Sequence, residues 1–172
     1  MFTRKARLQD AQNIYELVRS LSGDGTLLPR DFAEICENIR DFCVVESSEG
    51  EFLGCGALHL YGTHLAEVRS IVVSPDAEGR GAGSELVHAL LAEAEIHGVA
   101  CVCLFTRIPE FFLRHGFRTA ERTSIPDKIY KDCQRCPRLN ACDEVAMARG
   151  ELPNVAILGP AVVNEELVQL HA

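Results

Sequence analysis

Apolar residues recur at helical spacing in four stretches of this chain and follow strand-like patterns in seven others. The helical spacing predicts helices over residues 11–21, 32–39, 84–91 and 111–115. The strand-like runs predict strands over residues 2–6, 42–46, 52–60, 67–73, 99–105, 117–122 and 144–148. This order of strands and helices predicts an α/β (α+β) domain, in which helices pack against a central sheet.

A strand, a glycine-rich turn and a helix follow each other directly between residues 67 and 91. The strand ends at Ser74-Pro75-Asp76, and the turn at residues 78–83 leads into the helix that holds Leu86 and Leu90. The first amides of a helix have no intrahelical partner, and the helix dipole puts partial positive charge there. Because glycines let a phosphate approach the backbone closely, the segment predicts a site for a phosphorylated ligand.

The spacing of the glycines discriminates between phosphate-binding motifs. A Walker A loop requires Lys-Ser/Thr after its last glycine, and Gly83 is not followed by that pair. The spacing Gly79-x-Gly81-x-Gly83 also differs from the Rossmann fingerprint. The segment instead resembles the acetyl-coenzyme A loop of the GNAT acetyltransferase superfamily, Gln/Arg-x-x-Gly-x-Gly/Ala after a strand ending Val-x-Pro. Glu78 stands where that superfamily has Gln or Arg, so the resemblance covers the backbone of the loop rather than a side-chain contact there.

The resemblance implies acetyl-coenzyme A as the cosubstrate and a GNAT-type mixed sheet of about six to seven strands, with a splayed parallel pair at the cofactor site. The predicted element order follows the GNAT order from about residue 2 to residue 149. In the superfamily a strand amide holds the thioester carbonyl, and the loop holds the phosphates. The residues that match these two segments are Ile71, Val72 and Val73 in the strand and Glu78, Gly79, Arg80, Gly81, Ala82, Gly83 and Ser84 in the loop.

Further motifs resemble the acetyltransferase domain of N-acetylglutamate synthase, and they occur in the same order along the chain. They lie at residues 17–21, 25–30, 42–46, 54–58, 66–68, 105–107 and 111–117. The resemblance implies transfer of an acetyl group to the α-amino group of L-glutamate, the first step of arginine biosynthesis. Long forms of that enzyme carry an amino-acid-kinase domain in front, so we expect likeness to the short, stand-alone form.

Acetyl transfer to an amino acid requires a base, because the acceptor arrives as an ammonium ion. Glu67 stands where related enzymes carry a Glu, and the resemblance implies that it takes this proton directly or through a water molecule. Many GNAT enzymes have a Tyr as general acid where this chain has Phe112, a departure that N-acetylglutamate synthases share. Tyr130, Thr106 and His115 stay open as substitutes, and the thiolate can also leave as the anion or take a proton from the product ammonium or water.

Recognition of an acceptor with two carboxylates predicts arginines in the site, because a guanidinium group binds a carboxylate at two points. Arg19 ends the first predicted helix beside the loop at residues 23–25, and its match in the synthases binds a glutamate carboxylate. Arg30 and Arg69 are two further candidates for substrate binding.

Three cysteines, Cys133, Cys136 and Cys142, lie in a polar segment at residues 125–142. A C-x2-C pair is a frequent zinc half-site, but no fourth Cys or His lies nearby in sequence. The sequence therefore favours a protein without metal, and zinc, a Cys133–Cys136 redox pair and three ordinary thiols all stay open. The other cysteines lie in apolar patterns and are predicted core residues: Cys36, Cys43, Cys55, Cys101 and Cys103.

Length and composition limit the possible domain organisation, partners and location of the protein. The 172 residues predict one acetyltransferase domain over residues 1–150, with a Cys-rich insertion at 125–142 and a C-terminal extension at 151–172. The net charge of −8 argues against nucleic-acid binding, and no apolar run reaches the length of about 18 residues that a membrane span needs. Eight cysteines without an apolar leader predict reduced thiols in the cytoplasm.

Two other functions stay open at this point. One is a GNAT acetyltransferase for another small amine, amino acid or protein N-terminus, and the other is a non-catalytic acyl-coenzyme A sensor. Catalytic competence at Glu67 separates an enzyme from a sensor, and the acceptor-side arginines separate glutamate from other amines. A small molecule is the expected partner, and a homodimer is compatible with the sequence.

Overall fold

The computed structural model describes residues 1–22, 27–131, 133, 136, 138 and 141–153, with Tyr130 described by its backbone. Its strands are β1 (Phe2–Lys5), β2 (Phe42–Glu46), β3 (Phe52–Leu60), β4 (Ala66–Val73), β5 (Cys101–Thr106), β6 (Arg118–Thr119) and β7 (Val145–Gly150). Its helices are α1 (Ala11–Ser22), α2 (Phe32–Glu37), α3 (Ala82–Ile96), α4 (Pro109–Leu113) and α5 (Pro126–Lys131).

The seven strands form one sheet in the order β1-β2-β3-β4-β5-β7-β6. Every neighbouring pair is antiparallel except β4 and β5, which run parallel. The helix α3 connects these two strands, as a parallel pair requires a crossover connection. The structure therefore confirms the predicted mixed sheet with its parallel pair and flanking helices.

Helices and loops cover both faces of the sheet. On one face, α3 buries Leu86 and Leu90 fully against the strands. On the other face, α1 and α2 pack over the β2–β4 side around Ile14 and Ile35. A third apolar cluster around Ile125, just before α5, covers β5 and β7 on that second face. Because strand side chains alternate, this arrangement places the α1–α2 group and the α5 group on the same side of β4.

A β-bulge at Ser70 changes which side chains of β4 face α3. Ser70 is the one non-glycine residue with positive φ in the described part of the chain, at +53°. Val68 packs in the cluster under α3 before the bulge, whereas after it Ile71 packs there and Val72 packs under α1. One extra residue reverses the alternation of a strand, which explains the change. Gly56 lies opposite the bulge, where an added Cβ would come 3.0 Å from the Ile71 side chain.

Several elements differ from the sequence prediction, and α3 is the longest of them, since it runs to Ile96 rather than to residue 91. The helix α2 ends at Glu37 rather than continuing to residue 39, because the Asn38 side chain donates to the Glu34 carbonyl at 2.8 Å and turns the chain. The edge strand β6 has two residues rather than six, since the chain turns at Arg122–Ser124. The helix α5 was not predicted, because its six residues are mostly polar and show no apolar period.

The C-terminal extension predicted at residues 151–172 lies outside the described residues from residue 154 onward. None of the helices in the described part of the chain is both long and apolar enough to cross a membrane.

Candidate active site

The parallel strands β4 and β5 separate soon after they begin to pair. Their paired positions are Ala66 with Val102 and Glu67 with Cys103. Beyond these positions β4 continues to Val73 along β3, while β5 continues along β7. The two strands therefore diverge toward their C-terminal ends, as expected for a splayed parallel pair, and leave a gap between them.

The glycine-rich loop lies at the open end of this gap. Gly79 and Gly81 have φ of +70° and +90°, a conformation that favours glycine, and a Cβ on either would meet no atom within 4 Å. The first hydrogen bond of α3 joins the Glu85 amide to the Gly81 carbonyl at 3.1 Å. By helix geometry the amides before Glu85 have no intrahelical acceptor, so they are available to an anion.

The loop borders an open groove of about 620 Å³. The groove is lined by backbone and side chains of Ile71, Val72 and Val73 on β4 and by most of the predicted loop, including Glu78, Gly81 and Ser84. Arg114 also lines it, and its guanidinium lies 5.8 Å from the Phe111 ring centroid. The sequence prediction did not include Arg114, which adds a cation to a groove suited to phosphates.

A smaller cavity of about 170 Å³ lies between the diverging strands. Its walls are Val68, Arg69, Ser70 and Ile71 from β4, Leu104, Phe105 and Thr106 from β5, and Leu27, Arg107, Ile108, Phe111, Phe112 and Glu144 around them. The cavity and the groove share Ile71, Ile108 and Phe111 as lining residues. A ligand in the groove and a second ligand in the cavity would therefore meet at Ile71.

Glu67 lies at the base of the splay and is almost fully buried, with 2% of its surface exposed. Its Oε1 is 2.6 Å from Lys128 Nζ on α5, and its Oε2 accepts a hydrogen bond of 2.8 Å from the Tyr61 hydroxyl. The side chain is not one of the walls of the cavity, although Val68 beside it is. Its role as a base stays a prediction, and the burial favours proton transfer through a water molecule over direct contact.

Two arginines line the cavity. Arg69 has 9% of its side chain exposed, and its Nη2 lies 3.8 Å from the Asp41 carboxylate, which also contacts His59 Nδ1 at 3.1 Å. Arg107 donates from Nε to Asp143 at 2.8 Å. The sequence prediction included Arg69 but not Arg107, although Arg107 lies in one of the motifs that resembled the synthase.

The other two predicted substrate arginines lie elsewhere. Arg19 is on the exposed face of α1, with its guanidinium 5.9 Å from the Tyr15 ring centroid. Arg30 is ion-paired with Glu34 at the start of α2. Neither is among the described walls of the cavity, and residues 23–26 lie outside the described residues. Their binding roles stay predictions.

The candidate general acids occupy different places. Thr106 is 8% exposed, lines the cavity and accepts a hydrogen bond of 3.0 Å from the Ile108 amide. His115 lies by the glycine-rich loop, 3.3 Å from the Ser84 hydroxyl, and burial, helped by His88 and nearby arginines, lowers its pKa. The side chain of Tyr130 lies outside the described atoms. Of the two candidates whose side chains are described, Thr106 is the one that lines the cavity.

All eight cysteines are free thiols. Cys43, Cys55, Cys101 and Cys103 are buried as predicted, while Cys36 is half-buried. Cys133 Sγ lies 4.0 Å from the Arg122 guanidinium, and a side-chain hydrogen bond with Cys142 raises the pKa of Arg122. Within the described residues, no three Cys, His, Asp or Glu side chains come together as a metal-binding group.

Comparison with known proteins gives consistent similarities. The sequence pattern of the Acetyltransferase (GNAT) family matches residues 9–117. An uncharacterized N-acetyltransferase of Chlorobaculum tepidum is 38% identical over 146 residues, which cover 85% of this chain and 94% of that protein. An amino-acid acetyltransferase of Mycobacterium tuberculosis is 34% identical over 134 residues, which cover 77% of this chain and 76% of that protein.

Solved structures resemble the chain over the same region. A Mycobacterium tuberculosis protein in complex with CoA and NLQ has a TM-score of 0.76 and 29% identity, covering 88% of this chain and 100% of that chain. An N-acetylglutamate synthase of Neisseria gonorrhoeae complexed with coenzyme A and N-acetyl-glutamate has a TM-score of 0.76 and 27% identity. This second match covers 88% of the present chain but 35% of the Neisseria chain.

Proposed function

Because the chain belongs to the Acetyltransferase (GNAT) family, we propose that it transfers the acetyl group of acetyl-coenzyme A to the α-amino group of L-glutamate. The observation that carries the proposal is the meeting of two cavities at Ile71. One is bordered by the glycine-rich loop and suits a phosphorylated cosubstrate, and the other contains Arg69 and Arg107 and suits an anionic acceptor.

The relatives support the choice of acceptor. One similar protein is an amino-acid acetyltransferase, and a similar structure is that of an N-acetylglutamate synthase complexed with coenzyme A and N-acetyl-glutamate. An amino acid with a second carboxylate would need two cationic groups, and the cavity has two arginines among its walls. We therefore infer a small-molecule acetyltransferase that opens arginine biosynthesis in the cytoplasm, with residues 1–150 as its catalytic domain.

The chemistry follows from the positions of the groups. Acetyl-coenzyme A supplies a thioester carbon, which the acceptor nitrogen attacks, so that a C–N bond forms and the C–S bond breaks. The backbone amides at Ile71, Val72 and Val73 on β4 would hold the carbonyl oxygen, and one such amide contributes on the order of 3 kcal/mol. Glu67 would receive the ammonium proton through a water molecule, because its side chain is buried and is not one of the walls of the cavity.

Among the described side chains, Thr106 is the candidate at the cavity for returning a proton to the departing thiolate. Its hydroxyl accepts a bond from the Ile108 amide and keeps its own proton, but an alcohol is a far weaker acid than a thiol and does not readily protonate a thiolate. Phe112, at the position where many GNAT enzymes have a Tyr, is 6% exposed and carries no exchangeable proton. We therefore propose that the thiolate leaves as the anion and takes its proton from water or from the product ammonium.

One observation favours a different acceptor. Glu144 also lines the cavity, and a carboxylate there would attract a cationic group on the acceptor. An amine with a basic side chain, or the N-terminus of a peptide, would use this contact in place of an arginine pair. This alternative keeps the cosubstrate, the fold and Glu67, and changes the acceptor alone.

An acceptor screen tests the proposal. The purified protein is incubated with acetyl-coenzyme A and each of the twenty amino acids or short peptides, and free thiol is measured over time. We expect the highest kcat/KM with L-glutamate and a clear loss with L-glutamine, which lacks the second charge. Faster acetylation of a basic amino acid or peptide would show that the acceptor is the alternative one. If no amine raises thiol release above the rate of acetyl-coenzyme A hydrolysis, the protein is better explained as a sensor.

A further inference from the structure

The Cys-rich segment contributes a buried cation to the candidate active site. Lys128, on α5, forms an ion pair of 2.6 Å with Glu67, and the two side chains are 7% and 2% exposed. The Lys128 ammonium also lies 6.0 Å from the Phe105 ring centroid. The GNAT family pattern ends at residue 117, so Lys128 lies beyond the region that the family pattern covers.

A carboxylate as buried as Glu67 needs a compensating charge. Taking an isolated carboxylate out of water drives it toward the neutral form, whereas a cation within about 4 Å favours the charged form. Lys128 supplies that cation at Oε1, and the Tyr61 hydroxyl fixes Oε2 at 2.8 Å. The carboxylate is therefore paired with a buried cation and held in one orientation by two different parts of the fold.

These contacts matter for the reaction because a base must be ionised to accept a proton. If Glu67 takes the ammonium proton of the acceptor, as the proposed function requires, something must keep this buried group charged near neutral pH. We propose that Lys128 is a positioning residue that keeps Glu67 ionised and oriented for proton transfer, so that the Cys-rich segment completes the active site. This inference rests on the proposed function only in the role of Glu67, not in the identity of the acceptor.

Other titratable groups surround the pair, and each element packed against it contributes. Cys103 lies opposite Glu67 on β5, and burial together with the Glu67 charge raises the pKa of its thiol, so it stays neutral. Other groups nearby include His59 on β3, Tyr61 and His64 between β3 and β4, Arg69 on β4, and Asp127, Lys131 and Cys133 on the α5 side. Because histidine is the residue type that titrates near neutral pH, the test must separate the effect of a nearby histidine from that of Lys128.

The test is the pH dependence of kcat/KM, measured with the best amine acceptor of the wild type. We expect Lys128→Met to lower kcat/KM at pH 7 by about tenfold or more and to move the acid limb of the profile upward by about one unit or more. Lys128→Arg should leave the limb near its wild-type position, because it keeps the charge. If the acid limb of the Lys128→Met profile stays at its wild-type position, the inference is overturned.

Three controls make the result specific. Lys5→Met removes another Lys–Glu ion pair, of 2.7 Å to Glu93, and should leave the profile unchanged. His59→Gln should also leave the limb in place, and a limb that moves with His59→Gln but not with Lys128→Met overturns the role of Lys128. Coenzyme A affinity, measured by calorimetry, should stay within about twofold of the wild type in each folded variant.

A second variant covers the case in which Lys128→Met does not fold. The double variant Lys128→Met/Glu67→Gln removes both charges, so it should fold and bind coenzyme A if the cation serves to neutralise Glu67. A double variant as unstable as Lys128→Met would overturn the inference. Failure of the proposed function would give different results. If the wild-type protein does not acetylate glutamate, the acceptor assignment is wrong. If Glu67→Gln keeps full turnover, Glu67 is not the base.

Discussion

Glu67 and Cys103 face each other across β4 and β5 at the last position where these parallel strands pair. Beyond them the strands diverge, and the arginine-lined cavity begins at Val68 and Leu104. The carboxylate therefore lies where the sheet is still closed and the side chains are buried. Its neighbour Cys103 is also buried, which raises the pKa of the thiol and keeps a second negative charge away from Glu67.

Replacing Glu67 by Gln tests whether this carboxylate is the base. The amide keeps the size of the side chain but cannot accept the ammonium proton, so we expect kcat to fall by roughly 10²–10⁴-fold at neutral pH. Steady-state thiol release measures the effect. Glu93→Gln is the matched control, because Glu93 is likewise paired with a lysine but lies on α3. Near-normal turnover of Glu67→Gln would assign the proton transfer to another group.

Gly81→Glu tests the phosphate site. A side chain with negative charge at the start of α3 would occupy the place of the phosphates, so we expect coenzyme A binding to be lost in calorimetry. Gly50→Glu is the control: Gly50 has a similar positive φ of +84° and equally open surroundings, but lies in the β2–β3 turn. Both variants carry the same backbone strain, so retained affinity in a folded Gly81→Glu protein would place the coenzyme elsewhere.

Arg69→Met tests the described part of the acceptor site. Loss of a guanidinium–carboxylate contact costs about 1.5–3 kcal/mol, which corresponds to a KM for glutamate raised by about one to two orders of magnitude. The KM for acetyl-coenzyme A should change little, because the glycine-rich loop is at the other end of the gap. Arg118→Met, on the exposed edge strand β6, is the control. An unchanged glutamate KM would exclude Arg69 from acceptor binding.

Arg19→Ala tests the substrate role that the family resemblance implies. The expected result is again a glutamate KM raised by about one to two orders of magnitude, with partial rescue in Arg19→Lys, because an ammonium group cannot form the planar two-point contact. The alternative is that Arg19 does not bind the substrate, and its exposed position beside the Tyr15 ring is compatible with this. If Arg19→Ala behaves like wild type while Arg69→Met does not, the described cavity alone selects the acceptor.

His115 gives a prediction for stability against pH. Burial, helped by His88, Arg114 and Arg149, lowers its pKa below the ordinary value of 6.5, so the unfolded chain binds the proton more readily. The stabilisation is therefore present above about pH 6.5 and is lost as the pH falls toward the folded value. Urea unfolding from pH 8 to pH 5 should show a steeper loss in wild type than in His115→Gln. Equal slopes in the two proteins would contradict the prediction.

The sequence was most informative where function requires a local pattern. The order of strand, glycine-rich turn and helix at residues 67–91 was predicted from the sequence, because hydrogen bonding and φ preferences act between neighbours in the chain, although the helix continues to Ile96. The helix α5 was missed for the opposite reason. Its buried Lys128 is stable there because Glu67, far away in sequence, neutralises it, so no local apolar period marks the helix.

The arginines show the same division. The family resemblance put Arg19 first and left Arg30 and Arg69 as further candidates, because residue type alone does not show which arginine lies in the site. The sheet decides which of them reaches the cavity: Arg69 lies on β4 before the Ser70 bulge, next to the gap, and Arg107 follows β5 at the same place.

The sequence by itself thus determined the element order apart from α5, the mixed α/β fold and the phosphate loop, because each depends on periodicity or on turns of a few residues. Only the tertiary structure decided that β4 and β5 separate after Glu67, and that α5 returns to place Lys128 against that carboxylate. Strand divergence and buried ion pairs join residues distant in sequence, and their energies depend on burial that a linear pattern does not contain.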